Sequence, residues 1–254
     1  MGSNEKVFNA GELKFHNRLI KKSGETCSCG INCLECSFWK DIFRKNYNIY
    51  EQPNFSEKLK IIINTLLNRK TKISKEYEDK KLLSTILEKA KKDNSETEFI
   101  LDTSKSLWRL NYLIIQDYLD IKVIYLQRDI QGNVSSFIKH KRGFIRGLLI
   151  YKLNNFLITK WLKINKDINS IKVNYKKLCQ FSSKHLTRIG DFLNLNYTNY
   201  EKKVRNRQFH VPSGNKGARK QLLKKFNGLK YDNSWGKRLS RLELILLNLV
   251  CKNE

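Results

Sequence analysis

Short apolar runs at Lys6–Ala10, Glu98–Leu101, Lys122–Leu126 and Ile171–Asn174 read as strands, and longer stretches with helical spacing separate each from the next. This alternation constrains the chain more than any other feature. Strands that follow one another only after a helix cannot close as tight hairpins, so they predict a parallel sheet flanked by helices, an α/β architecture. The helical stretches fall at Ser56–Asn68, Ser74–Lys91, Ser106–Tyr118, Val134–Lys141, Leu148–Leu162 and Lys177–Leu193. A final helix from Ser240 to Cys251 carries a capping box in Ser240 and Glu243 ahead of its apolar run. No internal repeat and no Gly/Ser linker divides the chain. The Lys-rich stretch at about 54–94 reads as a helical insert with a solvated face.

One strand ends in chemistry. In "VIYLQRDIQGNVSS", residues 123–136, the apolar run stops at Arg128 and Asp129, with Gly132 and Ser136 following. Parallel α/β folds bind ligands beyond the carboxyl ends of their strands, where helix N-termini favour anions. Gly132 is expected to permit a tight turn, and Arg128 and Ser136 to converge on one phosphate. The plainer reading is a strand-end Arg paired with Asp129 and a Ser facing solvent.

The 254 residues suffice for a core at 40% hydrophobic content, and the formal charge of +26 would draw an anionic partner. Lys far outnumbers Arg, however, and Asn and Ile are abundant, the signature of an A+T-rich coding sequence. The charge therefore has two sources, a polyanion-binding face or compositional drift. No apolar run approaches the ~18 residues of a membrane span, and no leader pattern precedes Val7, so a soluble, cytoplasmic protein is expected.

Further segments match in order. "FILDTSKSLWRLNYL" carries Asp-x-Ser-Lys followed by an aromatic and Arg. "IKVNYKKLCQFSSKHLTRIGDFLNL" gives a strand, a Tyr and a helix, while "HVPSGNKGARK" and "YDNSWGKRLS" lie near the end. With "FNAGELKFHNRLIKKSGETCSCGINCLECSFWKDIF" at the start, the series resembles the prokaryotic-type sulfotransferases that use 3′-phosphoadenosine-5′-phosphosulfate (PAPS), from about Val7 to Leu239. The resemblance implies a three-layer, P-loop-hydrolase-like sulfotransferase fold. It also implies a sulfuryl transfer from PAPS to a hydroxyl of a carbohydrate, lipid or small molecule, without a redox cofactor.

It further implies roles. Lys105 is the candidate cation over the transferring group, with Ser104 or Ser106 lending hydroxyl contacts; otherwise it is a surface Lys at a helix start. Glu12 stands where several members keep an acidic base, or is a helix-start carboxylate facing the dipole. Arg128 and Ser136 would hold the 3′-phosphate. Tyr175 would stack near adenine or be a half-buried core residue, and Arg219 would close over the 3′-phosphate or belong to a solvated basic loop.

The resemblance fails at the beginning. Family members open with a strand and a Gly-x-x-Arg-Ser-Gly-Thr-type loop around the 5′-phosphosulfate, and here Met1–Asn4 falls where the helix after that loop would be ending. No later glycine-rich turn replaces it. The expectation is one sulfotransferase-like domain over 1–254, truncated at its first strand. Such a domain is either an enzyme or a remnant that binds 3′-phosphoadenosine nucleotides or polyanions without catalysis.

Cys27, Cys29, Cys33 and Cys36 form a C-x-C-x3-C-x2-C cluster, while Cys179 and Cys251 are scattered in apolar helices. Four close thiols suit Zn2+, but structural sites usually pair two knuckles across a longer loop. A metal, a disulfide and reduced structural thiols all remain open, and no metal ligand is assigned. Of the four histidines, His210 alone has a positional claim, from the "HVPSGN" loop. A zinc-clasped nucleic-acid binder would need a basic reading helix or an aromatic platform, and neither is present.

Overall fold

The computed structural model describes residues 1–21, 24–51, 53–69, 71, 77–116, 119–222 and 228–251. The expected strands appear at Val7–Gly11 (β1), Phe99–Asp102 (β2), Val123–Gln127 (β3) and Ser170–Asn174 (β4). Helices occupy His16–Lys21 (α1), Lys40–Arg44 (α2), Phe55–Leu66 (α3), Asp79–Asp93 (α4), Leu107–Ile115 (α5) and Ile130–Lys139 (α6). They continue at Phe144–Ile164 (α7), Tyr175–Gln180 (α8), Ser182–Leu193 (α9), Tyr200–Asn206 (α10), Lys216–Leu222 (α11) and Arg241–Cys251 (α12). The expected helix start at Ser74, the helix end at Tyr118 and the side chain of Cys251 lie outside the described residues.

Both strand pairs are parallel, as the alternation requires. Val7 stands opposite Phe99 and Gly11 opposite Asp102, while Val123 faces Ser170 and Gln127 faces Asn174. The described residues form two separate two-stranded sheets rather than one larger sheet. Each pair is joined by its own helical crossover, which is sufficient to make two strands parallel without recruiting a third.

The chain divides into two compact units: Met1–Ile61, Thr71–Asp120 and Asn194–Gly228 in the first; Ile62–Lys70, Ile121–Leu193 and Leu229–Glu254 in the second. In the first, Phe8 and Ala10 of β1 pack with Phe38, Trp39, Ile42 and Phe43 and with Leu82, Ile86 and Ala90 of α4. The α4 stripe recurs at intervals of four, so one face is core while the Lys residues take the other. Half of the Lys-rich stretch is thus integral to the core.

In the second unit, Ile130 and Val134 of α6 meet Tyr151 of α7, Leu239 just ahead of α12, and Leu247 within α12. The capping box forms as expected. Ser240 N–H donates to Glu243 Oε2 at 2.7 Å, and Glu243 N–H donates to Ser240 Oγ at 3.3 Å. Among the described residues no helix is long and apolar enough to cross a membrane.

Candidate functional site

In the first unit, the turn after β1 presents Glu12. Gly11 leaves the strand at φ +72, and a Cβ there would lie 3.0 Å from Ser213 O, Ser213 Oγ and Val211 Cγ1. Glycine is therefore needed twice over, for the left-handed backbone and for the close approach of the 211–213 segment. Ser213 uses that proximity. Its hydroxyl accepts from Glu12 N–H at 2.8 Å and donates to Glu12 O at 2.9 Å.

The Glu12 side chain is buried, and two ammonium groups meet it. Lys105 Nζ lies 2.8 Å from Oε1 and Lys14 Nζ 3.3 Å from Oε2. The exposures differ sharply, 69% for the Lys105 side chain and 9% for that of Glu12, so the pair joins a buried anion to a cation in solvent. Lys105 also sits at φ +51, a left-handed backbone that costs a non-glycine residue on the order of 1 kcal/mol or more.

A buried network holds the Lys105 turn. Asp102, at the end of β2, accepts from the backbone N–H and the hydroxyl of Ser104, from Leu13 N–H and from Arg109 Nε. Ser104 Oγ accepts from Lys14 N–H at 3.0 Å, and Ser106 caps α5 by accepting from Arg109 N–H. Ser104 and Ser106 thus serve backbone groups. Arg109 is fully buried between Asp102 and Asp79, each at 2.8 Å, and burial pushes the Asp79 carboxyl up even as Arg109 pulls it down. His16 lies nearby with neither ring nitrogen partnered among the described residues. Burial, helped by the Arg109 charge, lowers its pKa to about 4.

Arg219 differs from expectation. Its Nη1 donates to Thr26 O and to Pro212 O at 2.8 Å, and its Nη2 pairs with Glu25 at 3.2 Å. The guanidinium is buried and committed to loop carbonyls, so it clamps the segment that carries Ser213 rather than standing as a solvated loop cation. The same segment brings His210 to Cys27, Cys29 and Cys36, with the four ligand atoms within 4.8 Å of one another. All the described cysteines are free thiols.

The second unit contains Arg128, Ser136 and Tyr175. Gly132 is helical there, as the third residue of α6, and the expected turn role is corrected: it makes room for Arg128. A Cβ at Gly132 would lie 2.7 Å from Arg128 Nε and 3.1 Å from Cζ. The guanidinium lies 5.5 Å from the Tyr175 ring centroid, and Nη2 pairs with Asp232 at 3.0 Å. Nε is buried with no partner among the described residues. The plainer pairing of Arg128 with Asp129 is replaced, since Asp129 accepts from Tyr231 Oη at 2.7 Å. Hydrogen bonds from Ser234 and the Arg128 charge hold Asp232 below the usual carboxylate range.

Ser136 stands one helical turn beyond Gly132 on the same face, and helical side chains lean toward the N-terminus, here toward Arg128. The adjacent Ser135 is buried and accepts from Arg238 Nη1 at 3.2 Å. Sequence reasoning missed Lys14, Ser213, Asp232 and Arg238. All four lie inside stretches already singled out, but no spacing rule marks them.

No protein-family model matches the chain, and no curated protein sequence matches it significantly. Among solved structures, the sulfotransferase domain of the olefin synthase from Synechococcus PCC 7002 aligns over 96% of this chain and 92% of that chain. The identity is 14% and the TM-score 0.42, a level at which the likeness says nothing about the site.

Proposed function

We propose that the chain is a sulfotransferase that moves a sulfuryl group from PAPS to an acceptor hydroxyl of a carbohydrate, lipid or small molecule. The observation that carries this reading is the 2.8 Å contact between Lys105 Nζ and Glu12 Oε1. The two residues are 93 positions apart, and motif resemblance assigned them complementary roles. In the proposed reaction the acceptor oxygen attacks sulfur, and its proton passes to the Glu12 carboxylate. The sulfur–oxygen bond to the 5′-phosphate breaks, and its electron pair stays on the phosphate oxygen, where the Lys105 ammonium stabilises the charge. Ser213 and Lys14 hold Glu12 in place. No redox cofactor enters this chemistry.

In the second unit, Arg128, Ser136 and Tyr175 are proposed to bind a 3′-phosphoadenosine group. The partly exposed guanidinium of Arg128 supports an anion there, and the ring of Tyr175 offers a stacking face. Arg219 is proposed to act at one remove, by clamping the Ser213 segment. The partly exposed Arg128 guanidinium beside the Tyr175 ring also fits a second reading, a protein that binds 3′-phosphoadenosine nucleotides without transferring sulfate.

A labelled-sulfate transfer assay against glycans and small alcohols separates the two. It should be run on residues 1–254 and on the same chain preceded by a family-like strand and loop. Transfer by either form, lost in Lys105→Ala, supports the enzyme. Nucleotide binding without transfer by either form supports the binding module.

A further inference from the structure

We propose that Cys27, Cys29, Cys36 and His210 form a structural zinc centre, which fastens the segment carrying Ser213 to the Cys-rich loop. The distances suit a shared ion. Cys29 and Cys36 sulfurs are 3.7 Å apart, Cys27 and Cys36 sulfurs 3.8 Å, and His210 Nδ1 is 3.3 Å from Cys36 Sγ. A tetrahedral ion with bonds of about 2.3 Å to sulfur and about 2.0 Å to nitrogen spaces its ligands by roughly 3.8 Å and roughly 3.5 Å. A disulfide would need sulfurs about 2.05 Å apart.

Backbone bonds hold the cysteines in place: Cys27 N–H donates to Ile31 O at 2.8 Å, and Cys36 N–H donates to Asn32 O at 2.9 Å. Gly30, at φ +90, closes the turn by donating its N–H to Cys27 O at 3.0 Å. The imidazole is also held: Trp39 Nε1 donates to His210 O at 2.6 Å, and the Phe38 ring stacks on His210 at 5.9 Å. Three thiolates and one imidazole, with no open position, make the donor set of a structural zinc site.

Cys33 is not part of the centre. Its thiol donates to Pro212 O at 3.4 Å. The fourth ligand is instead a histidine 174 positions from Cys36, so the ion would join two distant segments. The same junction is laced by Ser28, whose Oγ donates to Phe209 O at 2.6 Å and accepts from Val211 N–H at 2.8 Å. Three residues after His210, Ser213 holds Glu12. The centre does not depend on the proposed transfer reaction, because metal content reads out without activity.

The test is elemental analysis of the full chain purified with reductant and equilibrated with zinc, alongside the cobalt-substituted protein. The expected result is about one zinc per chain and tetrahedral cobalt absorption with thiolate charge transfer. Cys33→Ser should keep the metal, while Cys36→Ser and His210→Ala should hold under roughly a tenth as much. If His210→Ala fails to fold, the wild-type cobalt charge-transfer intensity still separates three thiolates from four. Metal-free wild-type protein without a cobalt spectrum would overturn the proposal, as would loss of zinc in Cys33→Ser with retention in His210→Ala.

Discussion

The Arg128 guanidinium occupies the space where any residue other than glycine at position 132 would place its Cβ, 2.7 Å from Nε. The helix has given up a side chain so that a cation can lie against its backbone. Gly132→Ala should therefore act in opposite directions on stability and binding. Alanine is a better helix former by about 0.8–1.0 kcal/mol, so the helix gains where the flexible arginine can move away. Affinity for 3′,5′-adenosine bisphosphate should fall as the guanidinium is displaced. Calorimetry and thermal melts on the one variant measure both; unchanged affinity would remove Arg128 from the phosphate.

Arg128→Ala should weaken binding of 3′,5′-adenosine bisphosphate by about 1.5–3 kcal/mol, the range of a charge-assisted hydrogen bond. Binding of 5′-AMP should change little. Equal losses for both nucleotides would mean that Arg128 does not read the 3′-phosphate.

Lys105 combines a proposed catalytic charge with a left-handed backbone, and two substitutions separate them. Lys105→Ala and Lys105→Gly both remove the ammonium and should both abolish sulfuryl transfer by any active form of the chain. Glycine relieves the backbone cost, so the Gly variant should be the more stable by on the order of 1 kcal/mol. Denaturant melts of the pair check the difference, which vanishes if position 105 is unstrained in solution.

Arg109 lies between two carboxylates, and its own side chain and that of Asp79 are closed to water. Removing it leaves the buried Asp79 without its partner, and Arg109→Leu should cost about 3–5 kcal/mol. The loss should be smaller in Arg109→Leu combined with Asp79→Leu, since the second change removes the uncompensated charge. A double-mutant cycle from urea melts reports that coupling.

His16 predicts an acid sensitivity. Its folded pKa, about 4, lies below the unfolded value near 6.5, so the unfolded chain takes up the proton first. The stability contributed by the neutral buried ring is complete above pH 6.5, falls as pH drops toward 4, and is level below that. His16→Leu should flatten this part of the stability–pH curve, measured by urea melts between pH 7.5 and 4.5. An unchanged slope would place the proton uptake elsewhere.

The strands, the α12 capping box and the parallel pairing were legible because they depend on local periodicity, which a sequence displays directly. The positions of Glu12, Lys105 and Arg128 were legible through ordered motifs, each at the end of a strand. Their partners were not. That Glu12 meets Lys105 and Ser213, that Gly132 yields to Arg128, and that His210 rather than Cys33 completes the cysteine group all depend on contacts between distant segments. Spacing along a chain misleads there. Cys33 is near its neighbours in sequence, yet its thiol turns to the Pro212 carbonyl, while His210 reaches the sulfurs because Ser28, Trp39 and Arg219 bind its segment in place. Local hydrogen bonding and hydrophobic periodicity set the elements of this protein, and the burial of polar groups that must find partners set which residues meet.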